Sequence, residues 1–350
     1  MVKISIICLI YKSIELMDAV YKSAWKYTPM LRNGEAEFLF VANDATDQVI
    51  AHLEEKKYNY IINENKHFSE DELFQMGYGI PEYMNRVYKG YNQGILHAKG
   101  ERIVLINSDN FFSPDWLENL LKYSTFKNVV TSQLVERRHE KFGVFPGAIE
   151  KYFGDCIENF NEDDFVKFSF EVRKTGLKQN GAYMPALMWR DIALYAGLYP
   201  EGNIAGETKE QIVRFGDEYF YDKLKEMGIE HYTSLDSIVY HLKEGERESN
   251  NSAKYDSLSF DPSNKKVTSY AKLPVKKYKS ENLRVNLSPT IVHENIINNL
   301  LNKEANSDDI PQKVVCKSIC PFIYEKTKLG NRRIIKLFNI IKISYKKSVK

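Results

Sequence analysis

Four polar clusters in this 350-residue chain hold residue types that can bind a cation or move a proton: Asn43-Asp44, Asn107-Ser108-Asp109, Asp217-Glu218 and His241. The second is the most informative, because it ends the apolar run Val104-Leu105-Ile106. A buried strand stops where its side chains become this polar, so Asp109 is expected at a strand's carboxyl end, where open α/β sheets bind their ligands. A carboxylate there offers an anionic oxygen to Mg2+ or Mn2+, and Asn107 can add a neutral one or bind a ribose. The plain alternative is that an Asp after a strand caps the next turn. Asn43-Asp44 repeats the pattern after 37–42, and Asp217-Glu218 opens a helical stretch. His241 closes the short run 237–240, where a lone histidine can serve as a hydrogen-bonded structural residue.

The elements that must position these clusters alternate in type. Residues 4–10 form a continuous apolar run suited to a strand buried on both faces. Residues 15–27 show helical spacing, with Leu16, Ala19, Val20 and Ala24 on one side. Strands follow at 37–42, 60–62 and 102–106, and helices at 48–56 and 91–98, the latter closed by Gly100 as a C-terminal stop. Strands alternating with helices predict a parallel, doubly wound sheet. The stretch 67–88 fits neither period and reads as an inserted loop with a short helix. Ser113 as cap and Pro114 at the first position start a helix over 114–123. Residues 131–180 are mixed and polar and fit no element. Helices at 191–196 and 216–227 precede the strand at 237–240. The Ser-, Asn-, Lys- and Asp-rich stretch 244–286 reads as a lid and not a second core, and 290–301 as an amphipathic helix.

Composition bounds the rest. With 43% hydrophobic and 13% aromatic residues the chain can bury a sizeable core. No apolar stretch is long enough to span a bilayer, and the N-terminal run lacks a cleavage pattern. Four cysteines, one of them inside the first strand, suggest no disulfide framework. Cys316 and Cys320 lack the further ligands a zinc site needs. The chain therefore reads as cytoplasmic and reduced. Net charge is +2, yet residues 326–350 hold nine Lys or Arg and no acid. An acidic body with a basic tail argues against nucleic acid as a partner.

In order along the chain, these motifs resemble the family-2 glycosyltransferases of the bacterial surface-polysaccharide type. Ile4-Ser5-Ile6-Ile7-Cys8-Leu9-Ile10-Tyr11 is similar to the family's first strand, with its usual Pro-Thr-Tyr-Asn ending altered. Val41-Ala42-Asn43-Asp44 resembles the segment whose Asp recognises the nucleotide base. Asn92-Gln93-Gly94-Ile95, with Ala98 and Gly100, looks like the stretch leading into the metal-binding strand. Leu105-Ile106-Asn107-Ser108-Asp109 occupies the DxD position with Asn in place of the first Asp. The resemblance covers residues 3–242. It implies a GT-A fold: a Rossmann-like, mostly parallel central sheet flanked by helices, here with a C-terminal helical extension. The implied organisation is a catalytic domain over 1–245, a polar lid or linker with a helix over 246–310, and a basic amphipathic tail over 311–350.

The same resemblance implies a nucleotide-sugar donor held by Tyr11, Asn43, Asp44, Asn92, Asn107, Ser108 and Asp109, with Mn2+ or Mg2+ on Asp109 and His241. A divalent cation makes chemical sense there, because a nucleoside diphosphate leaves only when its charge is neutralised. Transfer to a hydroxyl needs a base. Phe215-Gly216-Asp217-Glu218-Tyr219-Phe220 looks like the family's acidic helix: matching Lys223-Leu224 selects Asp217, and matching from Gly216 selects Glu218. Trp189 and Arg190 resemble the acceptor side, although a Trp among Met and Leu also suits a core. The acceptor class implied is a glycan or a lipid-linked saccharide. In the tail, Ile334, Leu337, Phe338, Ile341 and Tyr345 share a helical face flanked by cations, which suits a peripheral helix on an anionic membrane or docking on the body. The rivals are a sugar nucleotidyltransferase, for which the segment after the first strand lacks a Gly- and Arg-rich loop, and a non-catalytic carbohydrate-binding protein on the same fold.

Overall fold

The computed structural model describes residues 2–64, 81–138, 143–200, 202–205, 211–242, 259–260, 324–329, 332–337 and 341–346. Most of the lid stretch, the helix expected over 290–301, Cys316 and Cys320 lie outside these residues. The helices are α1 (Ile14–Tyr27), α2 (Pro29–Arg32), α3 (Asp47–Lys56), α4 (Pro81–His97), α5 (Trp116–Leu121), α6 (Glu162–Val172), α7 (Arg190–Tyr195) and α8 (Gly216–Glu226).

The first half of the chain builds the parallel part of one sheet. β1 (Ile4–Ile10), β2 (Ala36–Asn43), β3 (Tyr60–Asn63) and β4 (Arg102–Ile106) lie in the order β3-β2-β1-β4 with all neighbours parallel. Alternate residues of β1 face opposite layers, as the pleat requires. Ile4, Ile6, Cys8 and Ile10 pack with Met17, Val20 and Ala24 of α1. Ile7 packs with Tyr91 and Ile95 of α4. Both faces are covered, so these strands read as unbroken apolar runs. Ser13 starts α1 by accepting the Leu16 N–H at 3.2 Å, the usual way a hydroxyl satisfies a free first-turn donor.

The second half departs from the parallel expectation. Beyond β4 the order continues β9 (Ala186–Trp189), β6 (Asn128–Glu136), β12 (Glu230–His241), β5 (Asn110–Phe112). β9 runs antiparallel to both β4 and β6, and β5 antiparallel to β12, whereas β6 and β12 are parallel. β7 (Ile149–Glu150) extends the sheet on β6, and β8 (Leu177–Gln179) on β12. β10 (Ile204–Ala205), β11 (Gln211–Arg214) and β13 (Ser259–Phe260) form a small separate sheet.

Three local expectations change. α4 starts at Pro81 rather than near 91. It lies so close to the sheet that a Cβ on Gly90 would sit 2.8 Å from Leu9 and 3.0 Å from Asn43, and one on Gly94 would strike Ile7 and Val41. Glycines required for that contact lower helix propensity and hide the helix from periodicity. Ser113 caps nothing: its hydroxyl donates to the Ile238 carbonyl at 2.7 Å, and Asp115 precedes α5. The amphipathic helix expected in the tail is absent from the described residues. β14 (Tyr324–Leu329), β15 (Arg332–Leu337) and β16 (Ile341–Lys346) form an antiparallel meander instead. Ile341-Lys342-Ile343-Ser344-Tyr345-Lys346 alternates with period two, and β-branched isoleucine favours strand.

Gly100 is needed for close approach, not as a helix stop. A Cβ there would lie 2.6 Å from the Ile4 carbonyl carbon and the Ser5 nitrogen, while its own N–H donates to Ser5 Oγ at 2.8 Å. Backbone cannot yield as a side chain can. Gly100→Ala should therefore destabilise the protein by about 1–3 kcal/mol or more, seen as a lower thermal unfolding midpoint; an unchanged midpoint contradicts this packing.

Candidate active site

Three of the four clusters lie at the carboxyl ends of strands, and two of them, the 107–109 turn and His241, touch. After β4 the chain turns through 107–109, closed by the Asn110 N–H on the Asn107 carbonyl at 3.3 Å and by Asn110 Oδ1 on the Asn107 N–H at 2.9 Å. Ser108 lies in this turn, partly exposed, and Asp109 is 5% exposed. The register of β12 places His241 opposite Asn110 on one side and Glu136 on the other. The imidazole accordingly spans two carboxylates, with Nε2 3.4 Å from Asp109 Oδ2 and Nδ1 3.0 Å from Glu136 Oε2. Glu136 is fully buried, and its other oxygen accepts the Phe145 N–H. Burial alone would lower the His241 pKa. The charges and hydrogen bonds of Asp109 and Glu136 outweigh it and raise the value from 6.5 to about 9.

Asp109 and the His241 Nε2 edge are a donor pair suited to a hard or borderline divalent cation. Glu136 on Nδ1 would orient the ring from behind, as partners of metal-bound histidines do. The three do not converge on one point, and among the described residues no group of three His, Cys, Asp or Glu side chains is arranged around a metal position. Such sparse protein ligation suits a cation whose shell is completed by substrate phosphates and water.

Helix α4 ties the clusters together. Arg86 pairs with Asp44 at 2.6 Å, both side chains largely buried, and its guanidinium lies 5.4 Å from the Tyr11 ring centre. Asp44 holds a left-handed φ of 56°, which a short polar side chain tolerates. Asn43 is turned inward, its Oδ1 accepting from Asn63 Nδ2 at 2.7 Å. Two residues further along α4, the Tyr88 hydroxyl accepts the Asp217 N–H at 3.2 Å and donates to Asn203 Oδ1. Tyr91, three residues on, donates to the Ile106 carbonyl at 3.0 Å and lies 3.2 Å from Asn107 Oδ1. Residues three apart on a helix share a face, so one face of α4 contacts both the 107–109 turn and the start of α8.

At that start the two acids differ. Glu218 reaches back to the Phe215 N–H at 3.4 Å, the return half of a capping box. Asp217 accepts the Glu218 N–H at 2.8 Å. Desolvation raises the Asp217 pKa from 3.8 to about 6, with the Glu218 charge adding to the rise and backbone N–H groups opposing it.

Several expected contacts lie elsewhere. Asn92 is fully buried, and its amide is spent on Tyr199, donating to the carbonyl at 3.0 Å and accepting the N–H at 2.9 Å. It holds the chain ahead of α8 and presents nothing to a nucleotide. Trp189 pairs in register with Arg102 at the amino end of β4, away from Asp109. Phe126 stacks on it at 4.0 Å and the Arg102 guanidinium covers it at 4.0 Å. Arg190 donates to the Ile95 and Leu96 carbonyls at 2.9 Å, closing the end of α4. Neither residue reaches the site. Conversely, the reading of the sequence missed Glu136, Tyr88 and Tyr91. Leu134-Val135-Glu136 carries the same signal as the run into Asp109, an acid ending an apolar stretch, but it lay in the unassigned segment.

The doubly bridged imidazolium predicts a pH effect. A histidine pKa raised by folding stabilises the native state fully below the unfolded value of 6.5, and this contribution is lost as pH rises through about 9. Chelator-treated protein should lose thermal stability across that window. Glu136→Gln should flatten the loss; identical slopes in both proteins contradict the bridge.

Residues 83–177 match the family described as glycosyl transferase family 2. No curated protein sequence matches the chain. Among solved structures, S. aureus TarS 1-349 is similar at 16% identity and a TM-score of 0.43, over 68% of this chain and 60% of that one. Its complex with UDP-GlcNAc is similar at 14% identity and the same TM-score, 0.43, over 72% and 61%. GalNAc-T7 with UDP, GalNAc and Mn2+ is similar at 14% identity and 0.43, over 69% and 44%. The chain thus spans less than two thirds of each of these structures. The family match runs from α4 through β4, the 107–109 turn and β6 to β8, so the segment that supplies Arg86, Tyr88, Tyr91, Asp109 and Glu136 is similar to the glycosyl transferase family 2.

Proposed function

We propose that the chain is a metal-dependent, inverting transferase that moves a sugar from a nucleoside-diphosphate donor to a hydroxyl of a glycan or lipid-linked acceptor in surface polysaccharide synthesis. The observation that carries this reading is the face of α4 that bonds to both the Asn107 turn and the Asp217 backbone. It ties a cation-holding edge and a carboxylate of raised pKa to one rigid element. Tyr11 and Asp44 would receive the nucleotide, with Arg86 holding the Asp44 carboxylate in place. Asp109 and His241 would hold Mn2+ or Mg2+, which neutralises the departing diphosphate when bound. Loading requires His241 Nε2 to lose its proton, and Glu136 keeps the ring aimed while it does.

Asp217 is the general base in this reading. Its carboxyl, poised near 6, is ionised at neutral pH yet basic enough to take the acceptor hydroxyl proton as the sugar bond forms. Glu218 is spent on the helix start, which favours Asp217 of the two. The catalytic domain is assigned to 1–245, with 246–310 as lid or linker and 311–350 as a tail. Location at the inner face of the cytoplasmic membrane rests on the cations of 326–350; among the described residues no helix is long and apolar enough to cross a membrane.

The test is a panel of nucleotide sugars with Mn2+, following release of nucleoside diphosphate. One donor should turn over, with a rate that rises with pH through about 6. Asp217→Asn should lower kcat by about 10²–10⁴-fold while nucleotide binding survives, and Glu218→Gln should have a small effect. The reverse ranking moves the base to Glu218. Absence of both turnover and metal-dependent nucleotide binding rejects the reading. Separately, deleting 326–350 should abolish sedimentation with anionic liposomes; retained sedimentation rejects the membrane contact.

A further inference from the structure

A second surface, distinct from the residues above, combines rings with cations. Tyr21, Lys22, Trp25, Lys26, Arg32 and Tyr58 line an open groove of about 490 Å³. Its floor is a ladder of aromatic rings. Tyr21 packs on Tyr58 at 4.3 Å between ring centres and stacks on Trp25 at 5.9 Å with 20° between planes. Trp25 is 42% exposed, whereas Trp116 and Trp189 are buried at 0% and 9%. A large indole left in water at the end of a helix costs hydrophobic free energy and is a common mark of a binding surface.

The cations surround this exposed ring. Lys22 is exposed and stands one turn from Lys26. Lys26 reaches Glu162 at 2.9 Å, although its side chain as a whole remains more than half exposed. Arg32 donates to the Trp25 and Lys26 carbonyls and so fixes its positive charge beside the indole. Asp18 is the acid nearest the ladder, and the His52 ring and the Tyr58 hydroxyl occupy it at 3.0 and 3.2 Å. The result is a stacking platform rimmed by three cations.

α1 begins just after the carboxyl end of β1, where the catalytic clusters lie, and runs back along the sheet. Its last turns therefore lie toward the opposite end, about 20 Å away along a helix of 14 residues. A groove so placed cannot receive the sugar being transferred, but it can hold a remote part of a long chain.

We propose that this groove binds an anionic saccharide segment, a sugar ring stacking on Trp25 while its carboxylate or phosphate meets Lys22, Lys26 and Arg32. The choice of a saccharide rests on the transferase reading. Sugar rings present C–H faces that stack on indole, and three cations around one exposed ring match a short acidic glycan better than the long basic track that nucleic acids require.

Isothermal titration calorimetry on the full chain tests this with four probes: tetragalacturonate, phosphopentamannose, uncharged maltotetraose and a dT10 oligonucleotide. One or both acidic saccharides should bind, more weakly as salt rises, and maltotetraose should not. Which of the two binds tells carboxylate from phosphate. Trp25→Ala and Lys22→Glu should each weaken binding by about tenfold or more and leave donor turnover without acceptor unchanged. Asp217→Asn should keep saccharide binding intact, so failure of the catalytic reading and failure of the groove are separable. Failure of both acidic saccharides to bind, equal binding by maltotetraose or dT10, or insensitivity to Trp25→Ala overturns the proposal.

Discussion

The closeness of α4 to the sheet is the constraint on which the rest depends. Gly90 and Gly94 let the helix lie directly on Leu9, Asn43, Ile7 and Val41. At that distance Arg86, Tyr88, Tyr91 and Asn92 reach four different segments: Asp44 after β2, the start of α8, the turn after β4, and the Tyr199 backbone. A helix held farther out by an alanine's methyl would lose hydrogen-bond reach to several of these at once. Breaking the buried Arg86–Asp44 pair alone would strand a charge, at a cost of about 3–5 kcal/mol.

Burial then sets the electrostatics. His241 sits between two carboxylates because β12 is paired with β5 on one edge and β6 on the other. That pairing stabilises a proton on the imidazole. Asp217, by contrast, has only backbone donors and a neighbouring acid, so desolvation raises its pKa. The fold thus contains an imidazole biased toward charge and a carboxyl biased toward neutrality. Both shifts follow from which groups the fold places next to them, since Asp and His have ordinary values in an open chain.

The second half of the sheet explains where pattern reading stops. β6 is buried along its whole length but contains Thr131, Ser132, Gln133 and Glu136. Each is satisfied by a distant residue: Thr131 by the Tyr232 carbonyl, Ser132 by Ser237 at 2.8 Å, Gln133 by the Gly147 carbonyl at 2.7 Å, Glu136 by His241. A polar group can be buried once its partner is supplied, but the partner lies far along the chain and leaves no local periodicity. In the tail the opposite error arose. A short run of isoleucines and lysines satisfies a helical stripe and a period-two alternation at once, and only pairing with a neighbouring strand selects between them.

What the sequence by itself determined was the parallel half of the sheet and the polar ends of its strands. The apolar runs ending at Asn43 and Ile106 read as buried strands, and Asp44 and Asp109 follow them at the sheet's carboxyl edge. The order of motifs also carried the family resemblance, which the match over 83–177 supports. Tertiary structure alone decided which polar residues face that edge. Asn92 and Arg190 looked available for ligands, but they clamp backbone; Trp189 packs as core. Glu136, hidden in an unassigned stretch, proved to be the partner of His241. The physical reason is that a side chain's chemistry is local, whereas its partner is fixed by strand register and helix distance, which depend on residues a hundred positions away.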